Sequence, residues 1–322
     1  MERQTLGNGT AAVGAPAAVA VGNFDGVHRG HQALVAAAVA RARGTGGAAV
    51  VLTFDPHPAR VLRPDKAPAT LTTLAQKEEL VAALGIDRLI VLPFDSRLAA
   101  LSPEAFAREV LEGTLGARHV VVGESFRFGR ARAGDARTLE TLGPRHGFDV
   151  QVVPPVLHAG RVVSSSRVRG VLAAGDVREA LELLGRPYAV DGRVVRGEGR
   201  GRRLGIPTAN LATDDQLLPA HGVYAGRCRT PGGEWRLAVV NVGERPTFGG
   251  AEVTLEAHLI DFAGDLYDAR VRLELHARLR GEERFASAEL LVERIQQDIR
   301  AARALLPPPG GQSGIVGNEG DP

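Results

Sequence analysis

The sequence predicts an α/β domain built on a parallel sheet, followed by an antiparallel β domain, and three observations carry that reading. Short Val-rich runs alternate with amphipathic segments through the first half. After Gly185-Arg-Pro187 they give way to closely spaced, partly alternating runs cut by Gly, Pro and Asp turns. Between the first apolar run and the first amphipathic one lies a glycine-rich turn, Gly22–His31. Strand–helix alternation places helices on both faces of a parallel sheet, whereas successive short strands make an antiparallel barrel or sandwich.

In chain order, strands are expected at Ala17–Val21, Ala48–Phe54, Arg88–Pro93, His119–Val122 and Asp149–Val153, each a short apolar run. Helices are expected at His31–Arg43, Leu74–Leu84, Pro103–Glu112 and Asp135–Leu142. Ser164–Leu184 reads as a helical pair broken at Gly175-Asp176. The second half offers strands at Tyr188–Val195, Gly222–Arg229, Glu234–Val242, Val253–Ile260 and Arg270–Ala277. The amphipathic stretch Ser287–Leu306 is a natural cover for an open end or edge. The change of pattern puts a domain boundary near residue 186, giving domains 1–185 and 186–306. The tail 307–322 is poor in apolar residues and is expected to be disordered. No internal repeat is evident.

At 322 residues the chain is long enough for two separate cores, and its 44% hydrophobic and 24% charged content is that of an ordinary soluble protein. A net charge of +2 is too small to argue for nucleic acid or a membrane as partner, and neither is expected. Nothing in these numbers sets an oligomeric state. One cysteine, Cys228, excludes an internal disulfide framework and suits a reducing cytoplasm. The first residues lack the basic start and apolar core of a secretory leader, and no apolar run reaches membrane-spanning length. A cytoplasmic protein is expected.

Gly22-Asn-Phe-Asp-Gly-Val-His-Arg-Gly-His31 hands a strand over to a helix. Backbone N–H groups and the helix dipole favour an anion there. His28 and His31, three apart, can face one ligand from a first helical turn. The dinucleotide glycine spacing and the Walker Lys-Ser/Thr are both absent. An isolated His-x-x-His is more often a solvated turn. Asp25, His28 and His31 also make a conceivable metal set, against which weighs the lack of a second cluster. The longer string is similar to the His-x-Gly-His motif of nucleotidyltransferases, which hold a nucleotide triphosphate during attack on its α-phosphate.

Other segments add to this. Phe54-Asp-Pro-His-Pro58 carries a second strand-end histidine, His57, in what alone reads as a rigid proline turn. Gly123-Glu-Ser-Phe-Arg-Phe-Gly129 mixes aromatic and basic groups (Ser125, Phe126, Arg127, Phe128) as a stacking pocket for a planar ring would. Ser164, Ser165 and Ser166 can cap the helix they precede, while Arg167 and Arg169 supply donors suited to phosphate. Loops that follow strands of a parallel sheet converge at its carboxyl edge.

The second half has its own cluster. The loop Gly197-Glu-Gly-Arg-Gly-Arg-Arg203, with Gly197, Gly199, Gly201 and Arg202, lets backbone amides approach phosphates and neutralises their charge. Thr208 and Asn210 follow it with one residue between them, so on a strand their oxygens point to one side. Such hard oxygen ligands suit Mg²⁺. Glu256 lies in a strand-like run, where the ordinary reading is a solvated carboxylate and the catalytic one a base for a hydroxyl.

Taken in order and spacing, these marks resemble the bacterial bifunctional riboflavin kinase/FMN adenylyltransferase (FAD synthetase) family. Further marks are Leu184-Gly-Arg-Pro-Tyr188, Gly222-Val-Tyr224, Asn241-Val-Gly-Glu-Arg-Pro-Thr-Phe248, Leu255-Glu256 and Arg280–Phe285, so the likeness runs from about residue 17 to about residue 304. It implies a Rossmann-like nucleotidyltransferase domain, with Gly22, Phe24, Asp25, Gly26, His28, Gly30 and His31 around ATP. Ser164, Ser165, Ser166 and Arg169 match the family's second nucleotidyltransferase motif, and His57, Ser125, Phe126, Arg127 and Phe128 fall at the expected flavin pocket. It also implies a six-stranded kinase barrel with a C-terminal helix. There Gly197, Gly199, Gly201, Arg202, Thr208 and Asn210 would meet ATP, Thr208 and Asn210 would hold Mg²⁺, and Glu256 would be the base. Riboflavin would become FMN and FMN would become FAD, with ATP as co-substrate twice and His28, His31 and Arg169 stabilising charge in the second step. Two positions depart from the family pattern. Ser125 stands where Asp or Asn is common, and Asp268 stands where glycine commonly follows the tyrosine of Asp-Leu-Tyr267.

Overall fold

A computed structural model describes residues 1–5, 17–197, 199–213, 215–247 and 250–307. It divides into two compact units, Met1–Ser165 and Ser166–Pro322. Glu198, Phe248 and the tail from 308, which belong to sequence features noted above, lie outside the described residues.

The first unit is a six-stranded parallel sheet: β1 (Glu2–Thr5), β2 (Ala17–Val21), β3 (Ala48–Asp55), β4 (Arg88–Pro93), β5 (Ala117–Gly123) and β6 (Asp149–Val153), in the order β1-β4-β3-β2-β5-β6. Four helices belong to the alternation expected: α1 (Arg29–Thr45), α2 (Leu74–Ala83), α3 (Ala136–Leu142) and the one that opens at Pro103–Phe106. The last continues as a π-helical stretch, Ala107–Thr114, in which the wider turn keeps Ala107, Leu111 and Leu115 on one buried face. Every residue of β2 is buried because the sheet is covered twice. Ala17, Val19 and Val21 pack with Phe106, Leu111 and Leu139, while Ala18 and Ala20 pack with Val35, Ala38 and Ala42 of α1. That double cover is why these strands read as unbroken apolar runs.

β1 has no such signal. Its residues are Glu-Arg-Gln-Thr, exposed apart from one half-buried position; they pair in parallel register with β4 (Gln4 opposite Ile90), and Arg3 donates to Glu78 at 2.6 Å.

The second unit begins with the helical pair α4 (Ser165–Ala173) and α5 (Val177–Leu184), parted at Gly175-Asp176 as expected. Asp176 caps α5 by accepting from Glu179 N–H, and Gly185 ends it in the left-handed region at φ 71°. Arg167 is spent here. Its guanidinium donates to Glu179 Oε1 at 2.6 Å, which ties α4 to α5 rather than leaving the charge for a phosphate.

A closed barrel follows, in the order β7-β8-β11-β10-β9-β12: β7 (Tyr188–Val195), β8 (Ala209–Thr213), β9 (Gly222–Arg229), β10 (Trp235–Thr247), β11 (Gly250–Leu259) and β12 (Arg270–Arg280). The closure decides between barrel and sandwich, and all its pairings are antiparallel. β8 is the strand the chain's pattern leaves unmarked, because Pro207-Thr-Ala-Asn210 reads as a turn. Helix α6 (Ala288–Leu305) buries Ile299 and Ala302 against Val223, Ala225, Leu237 and Val239 on the outside of the barrel. Cys228 lies buried within it, and burial pushes its thiol up to about 12.

The seam between barrel and α6 carries a bidentate ion pair. Arg280 Nε and Nη2 donate to Asp298 at 3.1 and 2.9 Å, and the two side chains are only 10% and 5% exposed. Arg280 also lies over the Phe285 ring, 5.7 Å from its centroid. Removing one partner of a buried pair strands the other, so Asp298→Ala should destabilise this unit by about 3–5 kcal/mol. Denaturant unfolding followed at Trp235, the single tryptophan and a barrel residue, would measure it.

Candidate active site

The first constellation grows out of the end of β2. Because β3, β2 and β5 are neighbours in a parallel sheet, the loops at 54–58, 22–31 and 123–129 emerge side by side at one edge. The central loop is strained. Phe24 and Val27 have φ of 48° and 40°, a region that branched and bulky residues rarely adopt, and Gly26 has φ 85°. Phe24 is fully buried, so its ring serves the core and what it offers a ligand is backbone. Gly22 leaves room for that ring, since a Cβ there would meet it at 3.3 Å.

His28 caps α1 and accepts the N–H of His31 on Nδ1 at 3.3 Å. The two imidazoles stack with centroids 3.7 Å apart at 17°, and Phe24 stands 5.1 Å from His31. Gly30 is required by this packing, for a Cβ would meet the His28 ring at 3.1 Å and Val163 O at 3.4 Å. The stack therefore sits at the positive end of a seventeen-residue helix.

Asp25 faces the other way. Its Oδ1 accepts N–H from Leu71 at 2.9 Å and from Thr72 at 3.2 Å, and Thr72 Oγ1 accepts Gly26 N–H at 3.1 Å. Through these bonds the carboxylate braces the turn. Ser165 Oγ donates to Asp25 O at 2.9 Å, which ties the last residue of the first unit to the same turn. Ser164 is half-buried, and Ser166 and Arg169 lie on α4 in the second unit.

His57 caps the short helix Pro58–Leu62 and its Nε2 lies 3.5 Å from Asn23 Nδ2, so the 54–58 loop is linked to the central one. In the third loop Ser125 and Arg127 are exposed and Phe126 is half-buried. Phe126 stacks at 5.5 Å on Phe128, which is only 6% exposed and packs on Phe106. Phe128 thus supports the wall that Phe126 and Arg127 present.

Lys77 went unread in the sequence. From α2 its buried ammonium donates to Asn23 O at 2.7 Å and Thr53 Oγ1 at 3.1 Å, and burial pushes it down to about 8. The available signal was a lysine on the apolar side of a predicted helix.

The second constellation lies on the barrel. Asn210 of β8 is opposite Glu256 of β11, and Glu256 is opposite Asn241 of β10, so the three form a row across adjacent strands. Leu255 and Ala257 are buried, which turns Glu256 to the outer, half-buried face. The glycine loop folds over this row. A Cβ on Gly197 would overlap the Asn210 amide, and one on Gly201 would meet Thr208 Oγ1 at 3.1 Å. Gly199 is left-handed at φ 67°, and Arg202 is exposed beside it. His258, a second unread residue, hydrogen-bonds Pro207 O through Nδ1 at 2.8 Å and steadies the segment that carries Thr208. Asp268 has φ 61°, a conformation that glycine adopts freely and Asp tolerates, so its departure from the family pattern keeps the turn.

Comparison with known proteins finds two family matches in succession. The FAD synthetase family model matches residues 11–167 and the riboflavin kinase family model residues 184–306. A bifunctional riboflavin kinase/FMN adenylyltransferase of Pseudomonas fluorescens is 44% identical over 89% of this chain and 92% of its own length. One of Escherichia coli K12 is 40% identical over 88% and 90%. The crystal structure of a protein described as a macrolide-efflux protein from Streptococcus pneumoniae superposes with a TM-score of 0.85 at 31% identity, covering 94% of this chain and 99% of that one. Among the described residues no helix is long and apolar enough to cross a membrane. With both family matches in order and relatives aligned nearly end to end, the chain belongs to the bifunctional riboflavin kinase/FMN adenylyltransferase family.

Proposed function

We propose that the two constellations divide two reactions between them: the barrel phosphorylates riboflavin to FMN, and the sheet unit adenylylates FMN to FAD. The observation that carries this is structural economy at both sites, where a glycine stands wherever a Cβ would displace the polar side chain beside it: Gly30 at His28 and Gly197 at Asn210. Cytoplasmic location and function as a flavoprotein follow from the same reading. The functional boundary falls near residue 186, close to where the riboflavin kinase match begins at residue 184.

In the barrel, the riboflavin 5′-hydroxyl attacks the γ-phosphorus of ATP. Glu256 accepts the hydroxyl proton and ADP leaves. Gly197, Gly199, Gly201 and Arg202 lie along the phosphates. Thr208 and Asn210 fit Mg²⁺, being neutral oxygen donors; a Cβ on Gly197 would overlap Asn210, and one on Gly201 would come within 3.1 Å of Thr208 Oγ1. What bound Mg²⁺ supplies is neutralisation of charge on phosphate oxygens. Asn241 keeps Glu256 flanked by amides on both neighbouring strands.

In the sheet unit, a phosphate oxygen of FMN attacks the α-phosphorus of a second ATP and pyrophosphate leaves. The nucleophile is already ionised near neutral pH, so no strong base is needed. Charge stabilisation by His28, His31 and the N–H groups that open α1 carries the step. Gly22, Phe24, Gly26 and Gly30 shape the backbone that meets ATP, and Asp25 braces it. By their motif Ser164 and Ser165 belong to the nucleotide side, Ser166 and Arg169 continue the same motif, and His57, Ser125, Phe126, Arg127 and Phe128 form the flavin side.

His28→Ala should lower FAD formation from FMN by roughly 10²–10³ while FMN formation from riboflavin is kept. Glu256→Ala should do the reverse, lowering FMN formation by roughly 10²–10⁴. Separating riboflavin, FMN and FAD after incubation with ATP and Mg²⁺ reads both, and equal loss of both activities in folded variants would remove the two-site assignment. Gly197→Ala should also abolish FMN formation alone, because the new methyl takes the place of the Asn210 amide.

A further inference from the structure

Of the 39 lysines and arginines in the chain only two, Lys66 and Lys77, are lysines. Lys66 is exposed, whereas Lys77 is 8% exposed. The Lys77 ammonium and the Thr53 hydroxyl both donate to the Asn23 carbonyl, at 2.7 and 3.1 Å. That carbonyl immediately precedes the left-handed Phe24. The chain just before α2 grips the same turn through Leu71, Thr72 and Asp25. Segment 71–77 is therefore a clamp on the loop at 22–31.

Thr53 already satisfies the Asn23 carbonyl, so the ammonium is not needed to fill a hydrogen bond. Burying a charge costs free energy unless something compensates it. Arginine serves nearly everywhere else in this chain, yet its planar fork is bulkier and holds its proton at any accessible pH. A compact cation at this one buried position points to a use for its charge.

We propose that Lys77 is a positioning residue for adenylyl transfer, fixing the Asn23 carbonyl and placing a positive charge behind the backbone that receives the ATP phosphates. This rests on the assignment of the Gly22–His31 turn to ATP. The charged groups facing Lys77 are Asp25 in the turn and Asp55 at the end of β3, both of which favour the ammonium, and His57 reaches the turn through Asn23. Burial outweighs the two carboxylates and sets its titration at about 8. The charge is thus mostly present at neutral pH and is lost as pH rises through that value. Because protonation is harder in the folded than in the unfolded chain, the buried charge lowers stability at pH 7, and that handicap fades towards the ordinary lysine range.

Lys77→Met in the full-length protein tests this. It keeps the side chain's reach, removes the charge and leaves Thr53 on the carbonyl. FAD formation from FMN should fall roughly 10- to 100-fold, mostly in kcat and by less than loss of a group touching the reacting oxygens. FMN formation should stay at the wild-type rate, as should both activities of Lys66→Met. The variant should melt no lower than wild type at pH 7, which separates lost positioning from lost folding. Independently, wild-type adenylyl transfer should decline above pH of about 8, a limb absent from Lys77→Met. Wild-type FAD formation by Lys77→Met, or a wild-type rate that stays level from neutral pH through that range, overturns the proposal. If His28→Ala also leaves FAD formation intact, the assignment of ATP to this turn has failed; if His28→Ala abolishes it and Lys77→Met does not, only the role of Lys77 has.

Discussion

The sheet unit depends on one buried carboxylate. A turn containing left-handed Phe24 and Val27 carries backbone strain of about 1–3 kcal/mol per residue, and such strain persists only where surroundings over-determine it. Asp25 supplies that determination. Its Oδ1 gathers two N–H groups from Leu71 and Thr72, while its backbone carbonyl receives Ser165 Oγ. Segments far apart in the chain are thereby fastened to four or five residues at the end of β2. The turn that leads into α1 is held from two sides.

The two candidate sites are assembled by different physics. In the sheet unit the backbone N–H groups that open α1 and two stacked imidazoles lie together at the positive end of a helix. The barrel has no such dipole at its row of Asn210, Glu256 and Asn241. There the antiparallel pleat itself puts amide, carboxylate and amide abreast on one face, while residues on either side face the core. A helix gathers groups that are close in sequence, and a sheet gathers groups that are remote.

This difference also sets what could be read from the chain. The histidine turn was legible because strand, turn and helix are consecutive, so one short string holds both imidazoles and the helix start. The central parallel strands were legible because both of their faces are covered, as in β2, where every residue is apolar and buried. β1 was not, since its place is decided by β4's free edge and its own side chains stay in water. The strand carrying Asn210 was hidden behind a proline, and its pairing with Glu256 is a matter of register between distant segments. Asp25 stands in the legible string, but its hold on Leu71 and Thr72 N–H joins segments remote in the chain and leaves no mark in local spacing. Lys77 was passed over because its partner is a main-chain carbonyl, which leaves no trace in side-chain spacing.

The buried thiol of Cys228 has a practical consequence. Its sulfur is enclosed in the barrel and its proton is held far above neutral pH, so the native chain offers alkylating reagents almost no thiolate. With no other cysteine in the sequence, a single cysteine introduced on the surface of either unit would react alone. The protein is in effect already a blank background for fluorophores or spin labels, by which turnover in one half can be watched while the other is left chemically silent.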